Sequence, residues 1–325
     1  MNFTRRTVLA TAAATGLAFS TLASAAGYPE KPVTITVGFS AGGPTDIVAR
    51  ILAERLTQKF GQSFIIDNKA GASGAVAANQ VKKAAPDGYT LMIGSSSTLS
   101  IIPYVQKGVQ FDPIKDFTPI GLVASYPYYL TVPPDSKFKT YDDLVQFARQ
   151  KGNQLTYASA GNGAINHLAG EWFKSDTGIN ALHVPYKGDS AAVIDLAAGR
   201  VDLAFLAGVV AIPQVQAGKL RILASASSAP EKGLKGTPVI GQAKLPGFAA
   251  EPWNGLMGPA GLPADVVTKL NSAVNEIMTS PEVKARLLTL DQHPLTGTPA
   301  QFKDFIQKQS AHWAGVIKKS NITLD

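Results

Sequence analysis

The chain of 325 residues contains no cysteine. That excludes a disulfide framework, a thiol nucleophile and any cysteine-based metal site. Histidine is scarce: His167, His183, His293 and His312 are the whole set. No two of them have metal-ligand spacing and no carboxylate run stands beside them, so no metal and no cofactor is expected. Charge is thin, at 16% of residues, and the net +7 is scattered. Basic neighbours come at most as pairs such as Lys82-Lys83 and Lys318-Lys319. No nucleic-acid partner is expected, because that needs a clustered phosphate-facing stripe. A mild positive field does suit small anionic ligands. No segment after the first 25 residues approaches the ~20 apolar residues of a membrane span, so no membrane insertion is expected. Gly-x-Ser-x-Gly is absent, and no Gly-Lys-Ser/Thr follows a glycine loop. The nucleophile elbow and the P-loop are therefore both missing.

What is present is a globular composition, 45% hydrophobic, with 30 Gly and 21 Pro. Disorder needs the opposite balance. The length suits two domains of ~100–150 residues, large enough to need no staples. The glycine and proline content implies many short, sharp connections.

Residues 1–25 read as a secretory signal. Arg5-Arg6 supply the charge, Val8 to Phe19 the apolar stretch and Ala23-Ser24-Ala25 a cleavage site. Thr4-Arg5-Arg6-Thr7-Val8-Leu9 fits a twin-arginine route as well as the general one. The expected location is the periplasm, with cleavage near Ala25.

From Val33 the chain alternates strand and helix. Val33 to Phe39 is β-rich, Pro44 to Lys59 is helical in period, Phe64 to Asp67 is a strand, Gly71 to Lys83 is helical, and Tyr89 to Gly94 is a strand. A long apolar stretch follows, Pro119 to Val132. A second series then comes: helix 141–151, strand 155–159, helix 165–177, strand 181–184, helix 189–198, strand 201–206, a short helix from Pro213, and strand 220–225. The chain closes with three proline-initiated helices at 263–278, 281–289 and 299–319. This order implies α/β lobes with mainly parallel sheets. The closing helices have no partner strands of their own and are expected to pack back on the first unit. The resulting division is 26–125 plus 255–325 for one lobe and 126–254 for the other. Two crossings make a hinge, and a ligand cleft is expected between the lobes at the carboxyl ends of parallel strands.

Two glycine loops link a strand to a helix in different lobes. The first is Phe39-Ser40-Ala41-Gly42-Gly43-Pro44-Thr45-Asp46. The second is Ser159-Ala160-Gly161-Asn162-Gly163-Ala164. Each is either a plain turn or an anion site, because glycine permits close backbone approach and the helix beyond offers N–H groups and a positive dipole end. Asp46 is equally a capping residue or a ligand contact. His167 either satisfies local backbone or faces the cleft, as Asn166 beside it is expected to do. Trp253, Tyr126, Tyr128 and Tyr129 flank the crossings, where they stack on a ligand or fill the hinge. The enzymatic alternative is a secreted hydrolase using Ser159 or Ser40 with His167 and Asp46.

These residues also carry a resemblance. Tyr28 to Pro32, Ala41 to Asp46, Ala85 to Leu91, Phe111-Asp112-Pro113, Thr156 to Gly163, His183 to Gly188, Ala217 to Arg221 and Gly258 to Pro263, taken in order, resemble the Bug family of periplasmic receptors. That family serves tripartite tricarboxylate transporters. The resemblance implies a type II periplasmic-binding-protein fold and capture of a carboxylate by backbone amides and water from the two loops. It implies further cleft contacts from Ser95, Ser97, Thr98 and Tyr186. Membrane subunits of a transporter would be the partner, and the receptor would be a monomer without enzymatic activity. A ligand sensor for a signalling partner would use the same closed lobes. Two departures are notable. Ser40 stands in Gly38-Phe39-Ser40, where Pro-Phe-Pro is common. Leu206 stands where relatives carry an acidic residue. Leu206 in the cleft would favour an amino-free mono- or dicarboxylate, aliphatic or aromatic.

Overall fold

The computed structural model describes residues 27–319 except Lys107, residues 151–153, Lys232, Gly233, Lys235 and Lys244. The expected signal segment lies outside the described residues. The order along the first half is β1 (Val33–Val37), α1 (Pro44–Phe60), β2 (Phe64–Asn68), α2 (Ala75–Lys82), β3 (Thr90–Ser95), α3 (Ile102–Val105) and β4 (Phe117–Ser125). After a crossing come β5 (Tyr128–Val132), α4 (Tyr141–Ala148), β6 (Leu155–Ser159), α5 (Ile165–Thr177), β7 (Ala181–Pro185), α6 (Asp189–Ala197), β8 (Leu203–Ala207), α7 (Gly208–Gln216), β9 (Arg221–Ser225) and α8 (Ile240–Ala243). The chain returns through β10 (Trp253–Pro259), α9 (Ala264–Thr279), α10 (Pro281–Thr289), β11 (His293–Pro294) and α11 (Pro299–Lys319).

Two sheets result, ordered β11-β4-β10-β3-β1-β2 and β7-β6-β8-β5-β9. β1, β2 and β3 run parallel, as do β6, β7 and β8. β10 is antiparallel to both β3 and β4, and β5 is antiparallel to β8 and β9. Alternating residues feed opposite faces of each sheet. In the first, Ile93 and Leu256 join the core beneath α1 and α9, while Met92 and Met257 join the one under α11 with Phe302 and Ile306. In the second, Phe205 faces α5 with Leu168 and Phe173, and Leu206 faces α6 and α7 with Val193, Leu196 and Ala211.

The two crossings lie side by side. Tyr126 N–H donates to the Pro252 carbonyl at 3.1 Å, and Ala226 N–H donates to the Tyr128 carbonyl at 2.8 Å. The apolar stretch expected over 119–132 is thus two strands in two sheets. It breaks at Tyr126-Pro127, where proline has no N–H to continue a ladder.

Three other expectations change. The helix expected from Gly71 starts at Ala75, because Ala72 and Ser73 take left-handed φ of 45° and 49° in a preceding turn. The helix expected at Pro213 starts at Gly208, directly after β8, and carries Pro213 inside. The closing segment does own strands. β10 is central in its sheet, and its Trp253 and Asn254 pair with Ser125 and Ser95, so both stand with the first sheet. The glycines of β10 masked it as a loop. Gly255 is glycine because a Cβ there would strike the Phe302 ring. That ring is held edge-on by Trp253 at 5.7 Å between centroids.

Gly255→Ala is therefore expected to overpack the β10–α11 contact and cost ~1–3 kcal/mol in urea unfolding. An unchanged midpoint would show that Phe302 has room to move.

Candidate functional site

The carboxyl ends of β1, β6, β7 and β8 run into α1, α5, α6 and α7, and all four helix N-termini lack a side-chain cap. By contrast α4, away from the seam, is closed by a Thr140–Asp143 capping box. The first four N–H groups of a helix need partners from outside it. Around the seam those partners are the facing loops.

The first loop is bonded across the lobes to the β7–α6 connection, and the second loop to Ser73 and Ser97 of the first lobe. Ser40 donates to the Lys187 carbonyl from its N–H at 3.0 Å and from Oγ at 2.8 Å. Ser190 Oγ donates to the Ala41 carbonyl at 3.0 Å. Ser73 Oγ donates to the Asn162 carbonyl at 2.7 Å. Ile165 N–H, in the first turn of α5, donates to Ser97 Oγ at 3.0 Å. Positive φ at Gly42, Gly161 and Gly163 (76°, 134° and 77°) gives the turns their shape. Ser73 and Tyr186 already crowd Gly161, whose Cβ would meet Ser73 Oγ and the Tyr186 carbonyl at 3.1 Å each.

Within this seam lies a cavity lined by Phe39, Gly43, Pro44, Thr45, Ser95, Ser97, Tyr126, Tyr128, Ala160 and Asp189. Its volume is about 20 Å³. That is room for about one water and too little for a multi-carbon molecule in this arrangement. A larger open groove of about 330 Å³ lies by Leu122, Trp253, Phe305 and Trp313. It is walled by strand and α11 side chains, with no converging helix N-termini, and the inter-lobe cavity is the better candidate.

The expected residues divide. Phe39, Gly43, Thr45, Ser95, Ser97 and Ala160 line the cavity. Ser40, Ala41 and Asn162 join the lobes at its rim. Others brace from behind. Asp46 accepts from Gly42 N–H (2.9 Å), Arg50 Nε (2.8 Å) and Asn68 Nδ2 (2.9 Å), which fixes the first loop. Burial alone would raise its pKa, but Arg50, the Gly42 amide and Asn68 outweigh that and hold it low. Thr98 Oγ1 donates to the Ser73 carbonyl at 2.9 Å. Asn166 accepts from Ala160 N–H at 3.0 Å and donates to Asp189 Oδ1 at 2.9 Å, so it ties the second loop to α6.

Three expected ligand contacts point elsewhere. His167 Nδ1 accepts from Gly163 N–H at 3.1 Å, and its ring stacks on His183 at 3.7 Å under the second loop. Tyr186 donates its hydroxyl to Asp195 Oδ2 at 2.7 Å on α6. Leu206 is fully buried against α6 and α7, on the sheet face opposite Phe205, so it does not touch the cavity. That expectation came from the resemblance alone; in the structure both neighbouring faces of β8 are packed under helices, Phe205 beneath α5 and Leu206 beneath α6 and α7. The preference for an amino-free ligand loses that support.

The hydrolase pairing is also rearranged. Ser159 Oγ lies 2.6 Å from His183 Nε2 rather than by His167, and Ser159 is fully buried. Burial pushes the His183 pKa down to about 4, against the pull of Glu171, and that of His167 down to about 3. Both rings are neutral at neutral pH, and Asp46 is held by Arg50 and Asn68. Trp253 packs on Phe302 and Phe305, and Tyr129 donates to Asp291 Oδ2 at 2.9 Å, so neither lines the cavity. His293 gathers with Glu231 and Asp291, ligand atoms within 4.8 Å, a grouping invisible in sequence because the fold alone joins the two segments.

Sequence reasoning missed Asp189. It is 2% exposed, lines the cavity, and accepts at Oδ2 from Ala207 N–H at 3.2 Å. Burial raises its pKa to about 7, although the Ala207 and Asn166 donors oppose this. An acid opening a helix looks like ordinary dipole pairing. Only the packing of Tyr126 and Tyr128 over it shows otherwise.

Asp46→Ala is expected to cost ~1–3 kcal/mol at pH 7, since three donors lose their acceptor. A lowered carboxylate stabilises above its ordinary pKa of 3.8 and loses that contribution as pH falls through the folded value. Urea unfolding at pH 7 and pH 3 should show the gap between wild type and variant shrinking in acid. An equal gap at both would place the effect outside the carboxylate.

Comparison with known proteins agrees with this architecture. Residues 48–322 match the family described as Tripartite tricarboxylate transporter family receptor, TctC. BugT of Bordetella pertussis is 32% identical over 308 residues, 93% of each chain. Among solved structures, R. palustris Rpa4515 with adipate is 35% identical with a TM-score of 0.88, covering 91% of this chain and 99% of its own. MatC from Rhodopseudomonas palustris with bound malate is 30% identical with a TM-score of 0.84, covering 89% and 100%. Two α/β sheets facing across paired crossings, with sequence likeness along nearly the whole described length, place the chain in the tripartite tricarboxylate transporter receptor family, the Bug proteins among them.

Proposed function

We propose that this protein captures a small amino-free carboxylate, mono- or dicarboxylate and aliphatic or aromatic, between its two lobes in the periplasm. It then presents the closed face to the membrane subunits of a tripartite transporter, as a monomer and without a catalytic step. The lobes are residues 26–125 with 255–325 and residues 126–254, adjusted at Trp253 and Asn254.

The observation that carries this reading is the meeting of Ala41–Asp46 and Ser159–Ala164 across the cavity, each at an uncapped helix N-terminus. Charge-assisted hydrogen bonds are worth ~1.5–3 kcal/mol each. A few of them, less ordering costs, reach the ~8 kcal/mol of micromolar binding. The adipate and malate of the two R. palustris relatives are acids without an amino group, which supports the ligand class. No described helix is long and apolar enough to cross a membrane, which is compatible with a free receptor.

A thermal-shift panel of malate, adipate, benzoate, aspartate and glutamate tests this. A ligand that binds only the folded state raises the melting temperature, by ~2.7 kcal/mol of stability at a hundredfold excess over Kd. At least one amino-free acid should do so, and Gly161→Val should abolish the shift by filling the loop. A shift with aspartate or glutamate alone would keep the receptor and reject the ligand class. No shift with any acid would reject carboxylate capture.

A further inference from the structure

Asp189 presents a conflict of charge. Its carboxyl group lines the cavity in which, on the reading above, an anionic ligand binds. Its oxygens are held by neutral donors only, the Asn166 amide and the Ala207 N–H. From the crossing and β5 it faces the hydroxyls of Tyr126 and Tyr128, rings 5.9 Å apart. The lining from α1 and the first loop is Thr45, Gly43 and Phe39, and that from the end of β3 and the turn after it is Ser95 and Ser97. β8 and α7, packed against α6, bring no titratable side chain, and β6 brings only Tyr157, bonded to Glu171. Among the described residues neither Lys nor Arg lines the cavity. Two carboxylates in one dry enclosure cannot both stay ionised without a cation.

We propose that Asp189 is a ligand-contacting acid whose carboxyl group shares one solvent-derived proton with the ligand carboxylate, so that lobe closure on the ligand takes up a proton. This rests on the carboxylate-capture reading. No covalent bond changes. The proton passes from water to the Asp189–ligand oxygen pair and returns when the lobes open. Asp189 thereby selects against ligands that lack an acceptor oxygen at that position, and it makes capture stronger in acid. The elevated pKa in the closed form, about 7 before any second anion adjoins it, has the direction this requires. With the lobes parted, water reaches Asp189 and its pKa falls toward the ordinary 3.8, so the closed form binds the extra proton.

The test is titration calorimetry of the purified protein with malate, adipate, benzoate, aspartate and glutamate at pH 6, 7.5 and 9. At pH 7.5 it is repeated in two buffers of different ionisation enthalpy to count protons. Wild type should take up between half and one proton per ligand, and its affinity should fall by up to about tenfold per pH unit. Asp189→Asn should bind with less than a twofold change across the same range and take up no proton. Asp189→Ser serves as a second neutral variant if the amide disturbs Asn166, with folding checked by circular dichroism. Wild-type binding that is independent of pH and free of proton uptake would overturn the role of Asp189 while leaving carboxylate capture intact. Affinity that rises with pH for aspartate or glutamate would make Asp189 an ammonium partner and also overturn it. No binding by any acid at any pH would remove both readings.

Discussion

A parallel strand that runs into a helix leaves two things at its carboxyl end: a loop that must turn, and a helix N-terminus whose first N–H groups need outside partners. Four such ends meet in this molecule, at α1 from the first sheet and at α5, α6 and α7 from the second. None is capped by a side chain, so the lobes are complementary through backbone and small hydroxyl groups rather than through charged side chains. This explains why the seam is built from Ser40, Ser73, Ser97 and Ser190 bonded to carbonyl and amide groups. It also explains why Asp46, His167 and Asn166, which looked like ligand contacts, act as braces. A loop offering main-chain donors to an anion is useful only if its shape is held from behind.

The second constraint is the paired crossing. Tyr126 and Pro252 are hydrogen-bonded neighbours, and Tyr126 and Tyr128 cover the cavity from the hinge side. These rings belong to the same lobe as Asp189, and the opposite wall of the cavity is Phe39, Gly43, Pro44, Thr45, Ser95 and Ser97 of the first lobe. Burial of Asp189 also carries a stability cost. A carboxyl raised in the folded state stabilises below its unfolded pKa and loses that contribution as pH rises through the folded value near 7. On the proposed proton sharing, a bound acid would offset this cost and so favour the closed lobes.

Much of the fold was legible in the sequence. Strong helical period fixed α1, α9, α10 and α11, and Gly-rich strand–helix junctions marked both principal loops. β10 was not legible, because Gly255 and Gly258 are demanded by Phe302 and Leu262 packing against them, a tertiary requirement that reads locally as a turn. The start of α2 was shifted by left-handed Ala72 and Ser73, which aim the Ser73 hydroxyl at Asn162. In the site, the loops could be named, but side-chain direction could not. Leu206 was read from the resemblance as a cleft residue, but β8 is covered by helices on both faces and Leu206 packs under α6 and α7. Asp189 failed for a different reason: nothing local distinguishes a helix-initial acid at the surface from one sealed beneath two tyrosines.

Closure of the lobes on an acid can be measured directly, and the absence of cysteine makes the labelling clean. Gln58→Cys on α1 and Ser175→Cys on α5 place one exposed spin label on each lobe. The inter-label distance distribution should be broad and long without ligand and collapse to a single short distance when a carboxylate that binds is added. Binding of that carboxylate with no change in the distribution would contradict capture between the lobes.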